Sequence, residues 1–149
     1  MPMSSQFTVI TTQSRDSLDE YIGISFQNCS IVAATNDLDY NSTTMKSYLG
    51  RPQRMYSQTV YLESYIGNFI DPASWRQWFN DDDDDDDDQG LDTLYYGEYN
   101  NYGSSSSTND RVTWPGHHIM NSYNAINFTV SKFIIGVEWL ASSIIPCDF

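Results

Sequence analysis

The chain has 149 residues, 40% of them apolar and 15% aromatic, enough for one folded domain with its own core. Its net charge is −13, and seven Lys plus Arg against 20 Asp plus Glu leave no basic stripe, which argues against a nucleic-acid-binding surface. No apolar run has the length of a membrane-spanning helix, and MPMSSQFTVITTQSRD has neither the basic nor the apolar region of a signal peptide.

In chain order, the pattern predicts strands more than helices. FTVITTQ begins with alternating apolar and polar residues. YIGISFQNCSIVAA is nearly continuous in apolar and β-branched residues, as in strands buried on both faces. SYLGRPQRM follows, and here Gly50 allows a sharp turn while Pro52 drives Arg51 toward an extended conformation. Arg51 is thus expected on a stiff bend, where its forked guanidinium suits a carboxylate. SQTVYLESYIGNFI and DTLYYGEYNN continue the strands. Turns are expected at Asn36-Asp37, Gly50/Pro52, Gly67-Asn68 and Asn100-Asn101. No Asn-Gly or Asp-Gly hairpin signal joins consecutive strands, so long, variable connections favour a parallel arrangement.

Two helices are predicted. In IDPASWRQWF, Asp71 is a helix cap, Pro72 the first helical position, and Trp75, Trp78 and Phe79 one apolar face. In NFTVSKFIIGVEWL, Thr129 is the N-cap and Phe133, Ile134, Val137 and Leu140 the apolar stripe, weakened by Gly136. Eight of the acids form one run, Asp81 to Asp88, and the remainder of the chain is only mildly acidic. The run lacks the glycine and glutamate spacing of a calcium loop and reads as a solvated insertion.

The remaining chemistry-bearing residues give weak signals. His117-His118 has no cysteine or spaced histidine to complete a zinc site, so no metal and no cofactor is expected. Sequons stand at Asn28, Asn41 and Asn127. Cys29 and Cys147 are compatible with a disulfide or with two thiols. The eleven tyrosines and four tryptophans lead one to expect aromatic, hydrogen-bonding surfaces such as carbohydrate binders present.

The order of motifs carries more. SYLGRPQRMYSQTVYLES, IGNFIDPASWRQW, LDTLYYGEYNNYG, RVTWPGHHIM, then FTVSKFI and WL, resembles the C-terminal half of plant pectin methylesterases from about Gln6 to Phe149. The resemblance implies an all-β fold: a right-handed parallel β-helix, its C-terminal coils, with short C-terminal helices and long loops. Residues 1–149 would then be the C-terminal part of a pectinesterase catalytic domain, with 81–88 as an acidic insertion. It further implies hydrolysis of the methyl esters of cell-wall homogalacturonan to galacturonate and methanol, without a cofactor. Pectin is the implied partner, with a proteinaceous pectinesterase inhibitor as a second. Nucleic acid and membrane are not partners, and the implied location is the cell wall.

By the same resemblance, Arg51 matches the arginine that reaches across the cleft to the nucleophilic aspartate and holds it ionised. The family places a tryptophan lining the sugar groove directly after Leu-Gly-Arg-Pro; Gln53 stands there instead. The catalytic aspartate motifs, Gln-Asp-Thr-Leu-Tyr and Val-Asp-Phe-Ile-Phe-Gly, do not occur in these 149 residues. Asp92-Thr93-Leu94-Tyr95 echoes the first of them but lies inside the Tyr-Tyr-Gly-Glu-Tyr motif, a structural segment of the family. The expectation is a family member without activity as this chain alone. The alternative is a non-catalytic pectin-binding or interaction protein derived from the family.

Overall fold

The computed structural model describes residues 7–33, 46–77 and 90–142. The acidic run, Trp78, Phe79, Asn41, Cys147 and the Asn36-Asp37 turn lie outside them, and with Cys147 goes the question of a disulfide.

Eight strands form three sheets among the described residues. The first holds β1 (Phe7–Gln13) and β4 (Lys46–Pro52). The second runs β2 (Ile24–Gln27), β5 (Gln58–Leu62), β7 (Tyr95–Tyr99), β8 (His117–Ile119). The third pairs β3 (Ser30–Ile31) with β6 (Tyr65–Ile66). Single bridges add Ile70 and Trp75 to the first sheet, through Ser47 and Gly50, and Tyr102 to the third, through Tyr65. All pairs are parallel, as the lack of hairpin signals predicted. The chain visits the first, second and third sheets in that order, and then repeats the circuit.

Each circuit turns the same corner between the second and third sheets. Asn28 follows β2, Glu63 follows β5 and Asn100 follows β7, with φ of 53°, 47° and 48°. The corners stack: Asn28 N–H donates to Leu62 O at 3.0 Å and Glu63 N–H to Tyr99 O at 2.8 Å. Asn101 locks the last corner to the one before, its amide donating to Tyr61 O at 3.0 Å and accepting from Ser64 N–H at 2.9 Å. Left-handed backbone suits Asn and penalises Glu, which lacks a short polar side chain to satisfy it. Glu63→Asn is therefore expected to stabilise the protein by about 0.5–1 kcal/mol, read as a higher urea midpoint at unchanged slope.

The aromatic residues divide between core and surface: Tyr102, Tyr123 and Trp139 are exposed. Tyr61, Tyr96 and Trp75 are buried to 1% exposure or less. Phe26 stacks on Tyr61 with centroids 4.6 Å apart, and Trp75 stacks on Tyr96 at 4.2 Å. Leu49, Ile66 and Ile70 fill the space around them. Part of the tyrosine and tryptophan excess that suggested a carbohydrate-binding surface, Tyr48, Tyr61, Tyr96 and Trp75, is thus core. The run YIGISFQNCSIVAA is also less buried than its sequence suggested: β2 is half-buried throughout, and Tyr21, Ile22 and Val32 are exposed. β1, β2 and β3 have a paired neighbour on one side only among the described residues.

The outward face of the second sheet carries a smaller core. Val60, Leu62 and Met120 meet Ala125, with Tyr95, Tyr99 and Phe128 around them. Ala125 lies in α1 (Ser122–Ala125), whose N-cap Asn121 accepts from Asn124 N–H. Ser25 Oγ donates to Phe128 O at 2.6 Å and Val130 N–H donates to Gln27 Oε1 at 2.9 Å, tying this covering segment to β2.

Both predicted helices are corrected. Residues 71–77 form no helix. Asp71 Oδ1 accepts from Ala73 N–H at 3.0 Å in a tight turn, Ser74 takes a left-handed φ of 60°, and Trp75 joins the first sheet. Asp71 caps a turn, because the left-handed Ser74 stops helical propagation three residues in. The terminal helix starts after Thr129 as expected, but splits into α2 (Val130–Phe133) and α3 (Gly136–Trp139). Thr129 Oγ1 turns back to Ile126 O instead of capping α2. Ile135, at φ 52°, breaks the run, and Ile134 and Val137 end up exposed while Leu140 is buried. Left-handed backbone at a β-branched residue is strained.

Candidate functional site

Gly50 does not turn the chain; it lies in the middle of β4. Its role is close approach. A Cβ there would collide with Thr11 Oγ1 and come within 3.1 Å of the Trp75 ring. Segment 70–76 lies beside β4 as a third, irregular strand. Asp71 N–H donates to Ser47 O (2.8 Å), Leu49 N–H to Ser74 O (2.7 Å) and Arg76 N–H to Gly50 O (3.1 Å). Arg51 is thus held on a strand rather than on a bend, between two neighbours. Thr12 is its register partner on β1.

The bridge from Gly50 to Trp75 fixes which way the next residues point. Trp75 joins the core, and the guanidinium groups of Arg51 and Arg76, one residue beyond the bridged pair, both reach the Phe7 ring. The Phe7 and Tyr48 rings meet edge to face at 6.2 Å. The Arg76 guanidinium sits 4.0 Å from the Phe7 centroid and 5.5 Å from that of Tyr48. The Arg51 guanidinium sits 5.5 Å from the same Phe7 centroid. Gln53 follows two residues after Arg51; its N–H donates to Gln13 O at 3.1 Å and its side chain is exposed. Arg51 thus lies near the end of β4 and Gln53 just past it.

Against Trp75 and Pro72 lies a buried polar cluster that sequence reasoning missed. Glu98 and Arg111 form a doubly hydrogen-bonded ion pair at 2.9–3.1 Å, with both side chains 3% exposed or less. Glu98 Oε2 also accepts from Trp75 Nε1 at 3.2 Å and meets His117 Nε2 at 2.9 Å. Arg111 spends its other donors on Pro72 O at 2.9 Å and Ser105 O at 2.8 Å. The cluster therefore grips both ends of the Pro72–Trp75 turn that carries Arg76 and backs Gly50. Burial alone would raise the Glu98 carboxyl, but the hydrogen bonds from His117, Arg111 and Trp75 and the Arg111 charge outweigh it. The net effect holds Glu98 below its ordinary value of 4.5. The available signal was a lone acid in an aromatic strand, YYGEY, two residues from an inward tyrosine. Strand parity placed Glu98 inside, where it requires a cation.

The other carboxylates named from sequence lie apart. Asp71 pairs with Lys46 at 3.3 Å. Asp92 lies in the turn before β7 and lines a depression of about 470 Å³ with Gln58, Tyr95, His118 and Phe128, against the second sheet. Among the described residues no group of three or more His, Cys, Asp and Glu could hold a metal ion, and no helix is long and apolar enough to cross a membrane.

Comparison with known proteins gives a consistent result. The family model named Pectinesterase matches residues 1–137. A protein called probable pectinesterase/pectinesterase inhibitor 12, from Arabidopsis thaliana, is 54% identical over 148 residues, covering 99% of this chain and 26% of the relative. A pectinesterase/pectinesterase inhibitor of Ficus pumila var. awkeotsang is 46% identical over 142 residues, 95% of this chain and 25% of its own length. The solved pectin methylesterase from carrot superposes with a TM-score of 0.87 at 40% identity, over 100% of this chain and 44% of the carrot chain. The Aspergillus niger pectin methylesterase gives a TM-score of 0.65 at 25% identity, over 89% of this chain and 37% of its own. The chain thus spans about a quarter of the length of the curated relatives it matches.

Proposed function

The chain belongs to the pectinesterase family, and from that premise we propose that it forms the arginine-bearing wall of a pectin methylesterase cleft. Residues 1–149 are the C-terminal part of the catalytic domain in this reading. The three-sheet circuit, with its repeated left-handed corner, supports a parallel β-helix as the architecture. The substrate is methyl-esterified homogalacturonan, the products galacturonate and methanol, and the location the cell wall. Relatives bearing an inhibitor in their name make a proteinaceous inhibitor a reasonable second partner.

One observation carries the reading: Arg51 is held on a strand, paired on one side with β1 and on the other with segment 70–76. Gly50 and Trp75 fix the backbone beneath it, and Gln53 follows just past β4. A guanidinium so anchored loses little freedom when it pairs a carboxylate. Its role is to keep an aspartate nucleophile ionised and aimed. These residues contain neither aspartate motif, so Arg51 supplies positioning and not the attacking oxygen.

The test is methanol release from esterified pectin. The 149-residue chain alone is expected to give none above buffer. Joined to the preceding part of the carrot enzyme, it is expected to regain ester hydrolysis. A chimera that folds and stays inert would refute the reading. In an active chimera, Gln53→Trp should lower KM about five- to tenfold, since a rigid aromatic face at a sugar site adds about 1 kcal/mol. kcat should hardly change if the ring contacts ground and transition states equally. Gln53 itself favours the second reading, a non-catalytic pectin binder with a more polar groove. An unchanged KM in Gln53→Trp would place residue 53 outside the groove.

A further inference from the structure

Of the three Asn-X-Ser/Thr sequons in the sequence, the structure sets one beside a depression. Asn41 lies outside the described residues, and Asn28 forms the first left-handed corner. Asn127 is exposed, on the one-turn 3-10 segment Ile126–Phe128 that helps cover the second sheet. It lines the depression of about 470 Å³ that also holds Tyr95 and His118. We propose that Asn127 is an N-glycosylation site and that the depression beside it seats the first N-acetylglucosamine of the glycan. The inference rests on the cell-wall location read above, because such a glycan is added in the secretory pathway, and it adds a modification to that reading.

The segment is already tied down without the Asn127 side chain. Ser25 Oγ donates to Phe128 O at 2.6 Å, and Thr129 Oγ1 donates to Ile126 O at 2.8 Å. The Asn127 amide group makes no hydrogen bond among the described residues. A sugar on its nitrogen therefore displaces no contact of the fold. The transfer itself is made by an oligosaccharyltransferase from a lipid diphosphate-linked oligosaccharide. The amide nitrogen attacks the anomeric carbon and gives up one proton. A C–N bond forms, the C–O bond to the diphosphate breaks, and the lipid diphosphate leaves with the bonding pair.

The depression has the chemical makeup of a sugar seat. Tyr95 stacks with His118 at 4.6 Å and with Phe128 at 5.3 Å, so its walls are aromatic. Asp92 and Asn124 add exposed polar groups. An N-acetylglucosamine offers the matching pair of surfaces: C–H groups and an acetyl methyl for the rings, hydroxyls and an amide for the polar groups. The volume falls within the span of about 300–1,000 Å³ usual for ligand sites. Attachment at Asn127 makes the contact intramolecular, so even a weak sugar–protein contact is populated. The seated sugar would join the covering segment, through Asn127, to β7 and β8, through Tyr95 and His118.

Cell-free translation with microsomes tests the site, on the 149-residue chain carrying an added signal peptide. After enzymatic glycan release, peptide mass spectrometry is expected to find Asn127 converted to Asp in most protease-protected chains. Asn127→Gln and Thr129→Ala are each expected to abolish that glycan. Protease-protected chains with Asn127 unmodified overturn the inference, and this readout does not require the chain to fold. The seat is tested on secreted protein trimmed to a single N-acetylglucosamine, against the same protein fully deglycosylated. The single sugar is expected to raise Tm by about 3 °C, and the difference to vanish in His118→Ala, an exposed position outside both cores. Equal melting with and without the sugar overturns the seat. The pectin reading fails separately: an active chimera with Asn127 unmodified keeps that reading and removes this one, and a glycosylated but inert chimera does the reverse.

Discussion

Glu98→Ala is expected to cost about 3–5 kcal/mol, because it strands a buried arginine. Arg111 would keep its bonds to Pro72 O and Ser105 O but lose the only carboxylate that balances its charge among the described residues. Trp75 Nε1 and His117 Nε2 would lose their shared acceptor at the same time. A loss of this size is comparable to the whole stability of many domains, so the variant should be largely unfolded at 25 °C. Glu98→Gln should cost less, since the amide keeps an acceptor for Trp75 but not the charge. The double change Glu98→Leu with Arg111→Met should recover much of the loss, because an apolar pair leaves no orphan charge. Urea unfolding measures all three. A cost under about 1 kcal/mol for Glu98→Ala would show that the cluster does not clamp the turn.

The same residue sets an acid limit. Its carboxyl is held below 4.5 in the folded protein, so the unfolded chain takes up the proton first as pH falls. The stabilisation is fully present above about pH 4.5 and fades as pH drops through the folded value. Glu98→Gln should therefore flatten the acid limb of the stability curve.

What the sequence showed and what it hid divide along physical lines. FTVITTQ became β1 without adjustment, because its signal is local. Parallel pairing was also legible, since a missing hairpin turn is a local feature. Gly50 misled because glycine has two uses, and only the third dimension shows that Thr11 and Trp75 crowd it. Asp71-Pro72 matched a helix start, yet Ser74 adopted left-handed backbone because the segment had to dock on β4. The repeated corner at Asn28, Glu63 and Asn100 was present in the sequence but disguised by the glutamate. Arg51 and Gln53 were proposed as site residues through family likeness. Arg76 and Glu98 were not, since neither belongs to a short motif and their partners are far away in sequence.

Arg51→Ala in an active chimera should lower kcat/KM by about 10²–10³, the range seen when a preorganised charge-stabilising group is removed. The size of the loss alone does not identify the role, but the pH profile does. The nucleophile must be ionised to attack. A nearby guanidinium favours the ionised form and lowers its pKa by about 1–3 units. Without Arg51 that pKa rises, so the acid limb of kcat/KM must move to higher pH by a similar amount. Arg51→Lys keeps the charge and should leave the limb near its original position. It should still lose about tenfold in kcat, because a point charge cannot match both carboxylate oxygens. The backbone beneath gives a second handle. Gly50→Ala leaves the guanidinium intact but drives a methyl into Thr11 and Trp75, tilting the strand that carries it. Its loss should appear in kcat with the acid limb little displaced, since the charge remains nearby but misdirected. If Arg51→Ala leaves the limb in place and costs less than about threefold, the arginine faces a different partner, and the first sheet is not the catalytic wall.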